Sequence, residues 1–406
     1  MPFELCNSLL QGRSRPGPWL RLTALAASGA TLLAVVSGAA GLDAEHRILA
    51  ALAMPPLVAL VVVAWIAYRR LLPSALTALV LFGAAALLTS PVVHVAAAAA
   101  SFAAAAVATG VTFRGEPAPR ASVRDYVTLT KPRIMSLLLL TGVCGMFVGA
   151  RGIPPVWLVA VTLVGLALAC GGASALNHVI DRDIDRLMGE RTRARPLAAD
   201  RMPVTRALEF GLALSAFSFV LLASAVNVLT AALALVGNLF YVLVYTRWLK
   251  RTTPQNIVIG GAAGAVPPLV GWAAATGNLA LPALWLFLIV FFWTPPHFWA
   301  LALLIRENYA AARIPMLPVV RGVRSTARQI VAYSLVLVAV TVVPFAAGTL
   351  GVGYLVAALV LGGAFVWLGV RLLRETTPRH AALLFHYSLL YLALLFVAMA
   401  LDPVLG

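Results

Sequence analysis

Long, uninterrupted apolar segments recur along this chain and restrict it to folds that lie in a lipid bilayer. Thirteen segments reach the roughly 20 residues that a helix needs to cross the hydrocarbon core. They lie at residues 20–41, 48–68, 72–90, 92–111, 133–150, 154–174, 205–225, 228–246, 254–274, 281–303, 326–347, 351–371 and 384–402. Their apolar residues are consecutive instead of alternating, which excludes the strands of a membrane barrel. With 62% hydrophobic and 11% charged residues, the chain is predicted to be an all-α, polytopic membrane protein and not a water-soluble enzyme.

The basic residues predict how these segments are oriented. All but two of the 30 Lys and Arg residues fall in alternate loops, the exceptions being Arg47 and Arg151. Because basic loops remain in the cytoplasm, we expect a cytoplasmic N-terminus, cytoplasmic basic loops and an external C-terminus in the cell's inner (plasma) membrane. The net charge of +16 is then explained by topology and by contact with membrane lipid. Nucleic acid is not expected as a partner.

Two regions of the chain differ in their polar residues. Residues 1–118 hold four of the apolar segments, with almost no polar residue inside them, and residues 119–406 hold nine segments joined by long polar loops. We predict a nine-helix bundle preceded by about four extra transmembrane helices, whose role the sequence does not indicate. Single histidines near the segment ends of the extension, His46 and His94, are interpreted as interfacial anchors in preference to haem ligands.

A stripe of polar side chains follows the sixth apolar segment. Asn177, Asp181 and Asp185 are spaced by four residues, so in a continuing helix they share one face. Carboxylates stacked roughly 6 Å apart repel each other unless a cation lies between them, and Mg²⁺ takes carboxylate together with phosphate oxygens. Arg191 and Arg195 follow closely and are suited to binding phosphate. The pattern favours a metal and phosphate site over a solvated charged loop, in which Asp–Arg pairs contribute little.

The same stretch carries a family resemblance. Asn177-x3-Asp181-x3-Asp185, followed by Arg191-Thr192 and Arg195-Pro196-Leu197, resembles the first aspartate-rich motif of the intramembrane, UbiA-type aromatic prenyltransferase superfamily. The form found here is similar to that of one member family, the protohaem IX farnesyltransferases. Further stretches resemble the same family in the same order, at residues 129–134, 245–256, 260–272, 293–301 and 314–319.

This resemblance implies an enzyme that transfers a farnesyl group from farnesyl diphosphate to a vinyl group of haem B, giving haem O. It implies the cofactor Mg²⁺, held by Asn177, Asp181, Asp185 and Glu307. It implies diphosphate binding by Lys131, Arg133, Arg191, Arg195, Lys250 and Arg251. It implies an acceptor site for haem at Trp293, His297, Trp299 and His178. The implied protein partners are a haem A synthase or oxidase assembly proteins.

Two departures from the family pattern concern the polar loops. The second acidic loop of the family has Asp before Tyr, whereas this chain reads Glu307-Asn308-Tyr309, so its carboxylate is displaced by one position. The first loop has one residue more than usual, and Gly189 is the expected insertion because glycine tolerates unusual backbone angles.

Paired prolines precede one of the histidines. Pro295 and Pro296 are expected to break their helix next to His297, and the freed backbone groups beside an imidazole would suit a porphyrin. The alternative is a structural histidine whose hydrogen bonds mend that break.

Two other functions fit the same hydropathy. A related intramembrane prenyltransferase would use a quinone precursor or chlorophyllide as its acceptor. A transporter would need polar residues through the membrane midplane, whereas the charges here gather in the loops of one side. The sequence therefore favours the prenyltransferase.

Overall fold

The structure of the protein is a computed structural model that describes residues 18–39, 43–67, 72–87, 101, 102, 105 and 121–405, and every regular element among them is helical. Three helices precede residue 121. They are α1 (Pro18–Ala39), α2 (Asp43–Ala67) and α3 (Leu72–Leu87). They coincide with three predicted segments of the N-terminal region. The fourth segment, 92–111, and the boundary near 118 lie almost wholly outside the described residues, so the four-helix extension stays a prediction.

The remaining elements alternate long helices with short ones. They are α4 (Val123–Thr130), α5 (Pro132–Ala150), α6 (Val156–Ile180), α7 (Arg182–Leu187), α8 (Gly189–Arg193), α9 (Val204–Ala225), α10 (Val228–Leu239), a π-helix (Phe240–Leu249), α11 (Lys250–Thr252), α12 (Asn256–Gly264), α13 (Val266–Thr276), α14 (Leu281–Leu304), α15 (Arg306–Ala311), α16 (Leu317–Val320), α17 (Val323–Ala346), α18 (Val352–Arg374) and α19 (Pro378–Leu405).

The predicted nine-helix bundle is confirmed. Within the described part of the chain, nine helical stretches are long and apolar enough to cross a bilayer: α5, α6, α9, α10 to α11, α12 with α13, α14, α17, α18 and α19. Three predicted ends were wrong by six residues. The stretch that closes with α11 ends at Thr252 and not at 246, α19 begins at Pro378 and not at 384, and α6 continues to Ile180 and not to 174. Ser174 and Asn177 are polar but buried, and the Ser174 hydroxyl donates to the Leu129 carbonyl at 2.6 Å. Bundle contacts satisfy these polar groups inside a helix, where the sequence suggested a loop.

Glycines allow the helices to approach closely. A Cβ on Gly271 of α13 would lie 1.8 Å from the Gly142 carbonyl oxygen of α5, and a Cβ on Gly145 would lie 2.4 Å from the Pro268 carbonyl oxygen. Small residues at such crossings let backbones pack against each other in a membrane, where apolar burial alone gives no drive to association. The contact of α5 with α13 fixes the position of α5, which begins at Pro132 directly after Lys131 of the candidate site.

The expected break at the paired prolines is absent. α14 runs as one helix from Leu281 to Leu304 with Pro295 and Pro296 inside it. Each proline removes one backbone donor, but its fixed φ is compatible with a helix. In a membrane, groups on neighbouring helices can satisfy the backbone carbonyls that lose their donor. The hydroxyl of Thr294 donates to the Val290 carbonyl at 2.8 Å and closes the turn that leads into the prolines.

Candidate active site

The predicted carboxylate stripe forms where α6 meets α7. The backbone N–H of Asp181 donates to the Asn177 carbonyl at 2.8 Å, and that of Asp185 donates to the Asp181 carbonyl at 2.8 Å. These helical hydrogen bonds continue across the junction and keep the three side chains on one face. The exposed fractions of Asn177, Asp181 and Asp185 are 3%, 0% and 2%. Carboxylates buried to this degree need charged or hydrogen-bonding partners.

Two lysines, one between α4 and α5 and one in α11, partner the first half of the stripe. Lys131 Nζ donates to Asn177 Oδ1 at 2.8 Å, and Lys250 Nζ donates to Asp181 Oδ2 at 2.5 Å. The Asn177 amide donates in turn to Asp181 Oδ2 at 2.8 Å and to Thr246 Oγ1 at 3.1 Å. Lys131, Thr246 and Lys250, which lie 46 to 69 positions from the stripe residues that they contact, therefore join one polar network.

The backbone holds Lys131 in a strained position. It is a left-handed residue (φ 51°, ψ 57°) between α4 and α5, a conformation that costs a non-glycine residue about 1 kcal/mol or more. Pro132 begins α5 directly after it. At the other end of α4, Ser122 and Asp125 form a capping box, and Arg201 Nε donates to Asp125 at 3.0 Å. These fixed ends hold the strained turn and direct the ammonium toward Asn177.

An arginine and a histidine lie at the second half of the stripe. Arg195 donates to Asp185 Oδ1 at 2.6 Å, while His178 Nδ1 lies 3.9 Å from Asp185 Oδ2. His178 is buried, and both of its ring nitrogens lack a hydrogen-bond partner among the described residues. Its imidazole therefore faces Asp185.

The other predicted phosphate ligands lie outside this network. Arg251 binds Asp183 with two hydrogen bonds of 2.7 Å, and its guanidinium lies 3.9 Å from Asp181 Oδ1. Arg133 and Arg191 are exposed and make no ion pair with any residue that the structure describes. The structure thus brings Lys131, Arg195 and Lys250 to the stripe and leaves Arg133 and Arg191 free.

The electrostatics of the network favour an added anion. Burial, together with the nearby Arg195 and Lys250, lowers the pKa of Lys131 to about 7. At the edge of the network, the hydrogen bonds from Arg251 lower the pKa of Asp183. A lysine whose charge is opposed by other cations gains most from an anion such as a diphosphate, since that anion relieves the mutual repulsion.

The second loop meets the first through an amide. Gly189 has φ 72°, the left-handed conformation expected of an inserted glycine, and a Cβ there would lie 3.1 Å from Asn308 Nδ2. Tyr309 is buried, and this burial raises its pKa to about 12. Glu307 is exposed on α15, so Asn308 and not Glu307 contacts the first loop. The metal role of Glu307 stays a prediction.

An aromatic cluster surrounds His297. Its ring stacks between Trp293 (centroids 4.3 Å apart) and Phe385 (4.9 Å), and Nδ1 hydrogen-bonds to Ser388 Oγ at 2.6 Å. Trp293 Nε1 donates to the Ser388 carbonyl at 2.8 Å. Ser388 therefore connects α19 to the rings of Trp293 and His297 in α14. The predicted Trp299 lies elsewhere, edge-on to Tyr333 with ring centroids 5.2 Å apart.

Three residues of these networks were absent from the sequence-based site. Thr246 and Ser388 are hydroxyl residues in apolar helices, and polar groups at that depth are costly unless they have a partner. This cost could have marked both hydroxyls, from the sequence alone, as groups with a partner inside the bundle. Phe385 gave no such signal, because one aromatic residue in an apolar helix is indistinguishable from a packing residue.

The residues of the stripe fit a divalent cation. Asp181 Oδ1 is buried without a hydrogen-bond partner, and the amide and carboxylate oxygens around it are the ligands that Mg²⁺ prefers. The side chains alone do not complete a site: among the residues described, no group of three or more His, Cys, Asp or Glu is arranged to hold a metal. A cation here would need oxygens from a bound phosphate, which agrees with how Mg²⁺ usually binds.

Comparison with known proteins covers the same region. Residues 138–398 match the UbiA prenyltransferase family. A protein named protoheme IX farnesyltransferase from Symbiobacterium thermophilum is 57% identical over 282 residues, which are 69% of this chain and 94% of that protein. A protein of the same name from Gloeobacter violaceus is 52% identical over 72% of this chain and 95% of that protein. Another from Roseiflexus sp. is 52% identical over 72% of this chain, and the match spans 54% of that protein.

Two solved structures share the fold. A digeranylgeranylglyceryl phosphate synthase superposes with a TM-score of 0.59 at 16% identity, over 70% of this chain and 99% of that chain. A UbiA homolog from Archaeoglobus fulgidus bound to DMAPP and Mg²⁺ superposes with a TM-score of 0.51 at 18% identity, over 68% of this chain and 99% of that chain. At such identities the likeness concerns the arrangement of the helices.

Proposed function

Because this chain belongs to the UbiA prenyltransferase family, we propose that it transfers a farnesyl group from farnesyl diphosphate to a vinyl group of haem B. The observation that carries the proposal is the 57% identity to a protoheme IX farnesyltransferase over 94% of that protein. The product is haem O, in which water completes the hydroxyethylfarnesyl side chain, and diphosphate is the leaving group.

The polar network serves as the diphosphate site in this proposal. Lys131, Arg195 and Lys250 would turn to phosphate oxygens, which would replace the side-chain oxygens of the stripe that these cations bind in the structure. Asn177, Asp181 and Asp185 would hold Mg²⁺, which neutralises the charge that develops on the departing diphosphate. Arg133, Arg191 and Arg251, at the edge of the network, would bind the outer phosphate oxygens.

The acceptor site would lie against the aromatic cluster. Trp293 and His297 form a stacked pair, with ring planes inclined by 16°, and flat aromatic surfaces suit a porphyrin. Aromatic faces also stabilise an allylic cation, and the apolar helices around them exclude water until the vinyl group attacks. His178 beside Asp185 and Trp299 remain proposed acceptor contacts, and Glu307 a proposed metal contact.

The proposal also covers the orientation of the bundle in the membrane and the protein that receives the product. The ends of the helices that carry the stripe would face the cytoplasm, in agreement with the basic loops. Haem O remains in the membrane, so we expect another membrane protein, a haem A synthase or an oxidase assembly protein, to receive it.

The test is the expression of this chain in a bacterium that lacks haem O, followed by mass spectrometry of the extracted haems. We expect a haem with the mass of haem O. Haem B as the sole haem, with the protein inserted in the membrane, would contradict the proposed acceptor. A farnesylated quinone precursor or chlorophyllide would identify a related transferase instead.

A further inference from the structure

A basic cleft of about 760 Å³ opens on the outer surface of the bundle, behind the carboxylate stripe. Its polar and aromatic lining consists of Arg182, Asp183, Arg186, Arg247, Trp248 and Arg251. The cleft lies between the α6–α7 junction and the end of the π-helix. Asp181 and Lys250 face inward and are buried, whereas Arg247 and Trp248 are exposed. The cleft is therefore an exposed surface distinct from the buried stripe, and Arg251, which lies 3.9 Å from Asp181 Oδ1, stands at the border between the two.

The arginines of the cleft exceed its carboxylates. Arg182 and Arg186 share one acid, Asp200, with hydrogen bonds of 2.5 Å from Arg182 and 2.7 Å from Arg186. Arg251 is paired with Asp183. The side chain of Arg247 makes no ion pair or hydrogen bond with any residue of the described ranges. Its guanidinium is thus available to an external anion, and its planar fork suits phosphate.

An exposed apolar surface leads from this cleft into the membrane. Trp248 is 61% exposed near the end of a membrane-crossing stretch, where aromatic residues mark the interface between lipid and water. On the same run of helix, Val236, Leu239 and Leu243 are exposed by 59%, 47% and 54%. Their spacing of three and four residues places them on one face, which continues to Arg247. A ligand with an anionic head and an apolar tail matches this surface.

We propose that the cleft binds the headgroup of an anionic phospholipid. The phosphate lies between Arg247 and the shared guanidinium groups of Arg182 and Arg186, and the acyl chains lie along the exposed apolar face. A zwitterionic headgroup would bring a quaternary ammonium against the arginines, so the site discriminates against it. This inference does not rest on the proposed reaction.

The test is native mass spectrometry of the full-length protein in detergent, titrated with phosphatidylglycerol or with phosphatidylcholine. We expect tighter retention of phosphatidylglycerol. Arg247→Gln should weaken its binding about fivefold, the effect of one cation near an anionic headgroup. Because Arg247 has no acidic partner in the described structure, this change leaves no carboxylate behind. Arg374→Gln, at another exposed arginine that ends a membrane-crossing helix, is the matched control and should bind as the wild type does.

Three results would overturn the inference. Equal retention of the two lipids would exclude headgroup recognition. Equal effects of Arg247→Gln and Arg374→Gln, or no effect of either, would exclude the cleft as the site. Displacement of the lipid by an excess of glycerol 3-phosphate would identify a site for free phosphates. Melting temperatures of both variants, measured in parallel, check that each remains folded, and Arg247→Lys provides a second variant that retains the charge.

Discussion

The site depends on how single side chains satisfy a buried carboxylate. Asp181 has one oxygen bound by Lys250 and Asn177 and one oxygen without a partner. Spacing alone predicted that Asn177, Asp181 and Asp185 share a face. It could not predict their partners, because Lys250 lies 69 positions from Asp181 and only the packing of helices brings the two together.

Replacement of Asp181 tests the metal and phosphate assignment. We expect Asp181→Asn to lower haem O formation about a thousandfold or more, since the amide weakens both cation binding and the arrangement of Lys250. Asp200→Asn is the control, because Asp200 is an exposed carboxylate that pairs with Arg182 and Arg186, outside the proposed diphosphate site. Measured turnover per inserted protein should fall far less in the control. Equal activity of the two variants would rule out a metal site at Asp181.

The second loop offers a test between neighbouring residues. Asn308 contacts Gly189 of the first loop, whereas Glu307 is exposed. We expect Asn308→Asp to preserve or improve activity, because it places a carboxylate where the family pattern has one. Glu307→Gln should raise the Mg²⁺ concentration needed for half-maximal rate if Glu307 serves the metal. A magnesium titration that leaves Glu307→Gln identical to the wild type would remove Glu307 from the site.

At the scale of elements, the apolar segments predicted all nine membrane-crossing stretches after residue 121. Two local features escaped prediction. The π-helix at Phe240–Leu249 lies in a helix that is apolar all round. Its hydrophobic pattern therefore does not distinguish the i→i+5 hydrogen bonds of a π-helix from the i→i+4 bonds of an α-helix. The second feature is the intact helix at Pro295. The paired prolines predicted a break, but the helix continues through them, as it can in a membrane when neighbouring helices satisfy the freed backbone groups.

The contact between α5 and α13 gives an element-scale prediction. Gly271→Ala would place a methyl group 1.8 Å from the Gly142 carbonyl oxygen. Because that oxygen belongs to the backbone of α5, the clash can be relieved only if α5 and α13 move apart. We expect a loss of about 2–3 kcal/mol in the free energy of unfolding, seen as a lower melting temperature in detergent. Gly264→Ala is the control, since a Cβ there meets no atom within 4 Å. Equal stability of the two variants would contradict the described packing.

At the scale of the whole molecule, the proposed chemistry lies within residues 121–405, and helices α1 to α3 precede it. The match covers 94% of the Symbiobacterium relative. The rest of that relative is therefore too short to hold an N-terminal region comparable to residues 1–118 of this chain. The helix α1 contacts α9, which suggests a packing role. His94 lies outside the described residues, and the side chain of His46 is likewise not described, so their interpretation as anchors stays a prediction.

Removal of the N-terminal region tests this division. A protein that starts at Pro119 loses an even number of predicted segments, so the basic loops should keep their side of the membrane. We expect it to retain haem O formation at matched membrane levels, with a lower melting temperature from the exposed face of α9. Inserted but inactive protein would show that the extension contributes to the site, and His46 and His94 would be the first residues to replace.

The most direct measurement is product formation by the purified full-length protein with haem B, farnesyl diphosphate and Mg²⁺. We expect haem O by mass spectrometry, its loss when a chelator removes the metal and its return when Mg²⁺ is restored. We also expect Asp181→Asn to give about a thousandth of the wild-type haem O or less in the same assay. Unchanged haem B in a folded protein that binds farnesyl diphosphate, or haem O formation that persists without a divalent cation, would contradict the proposed function.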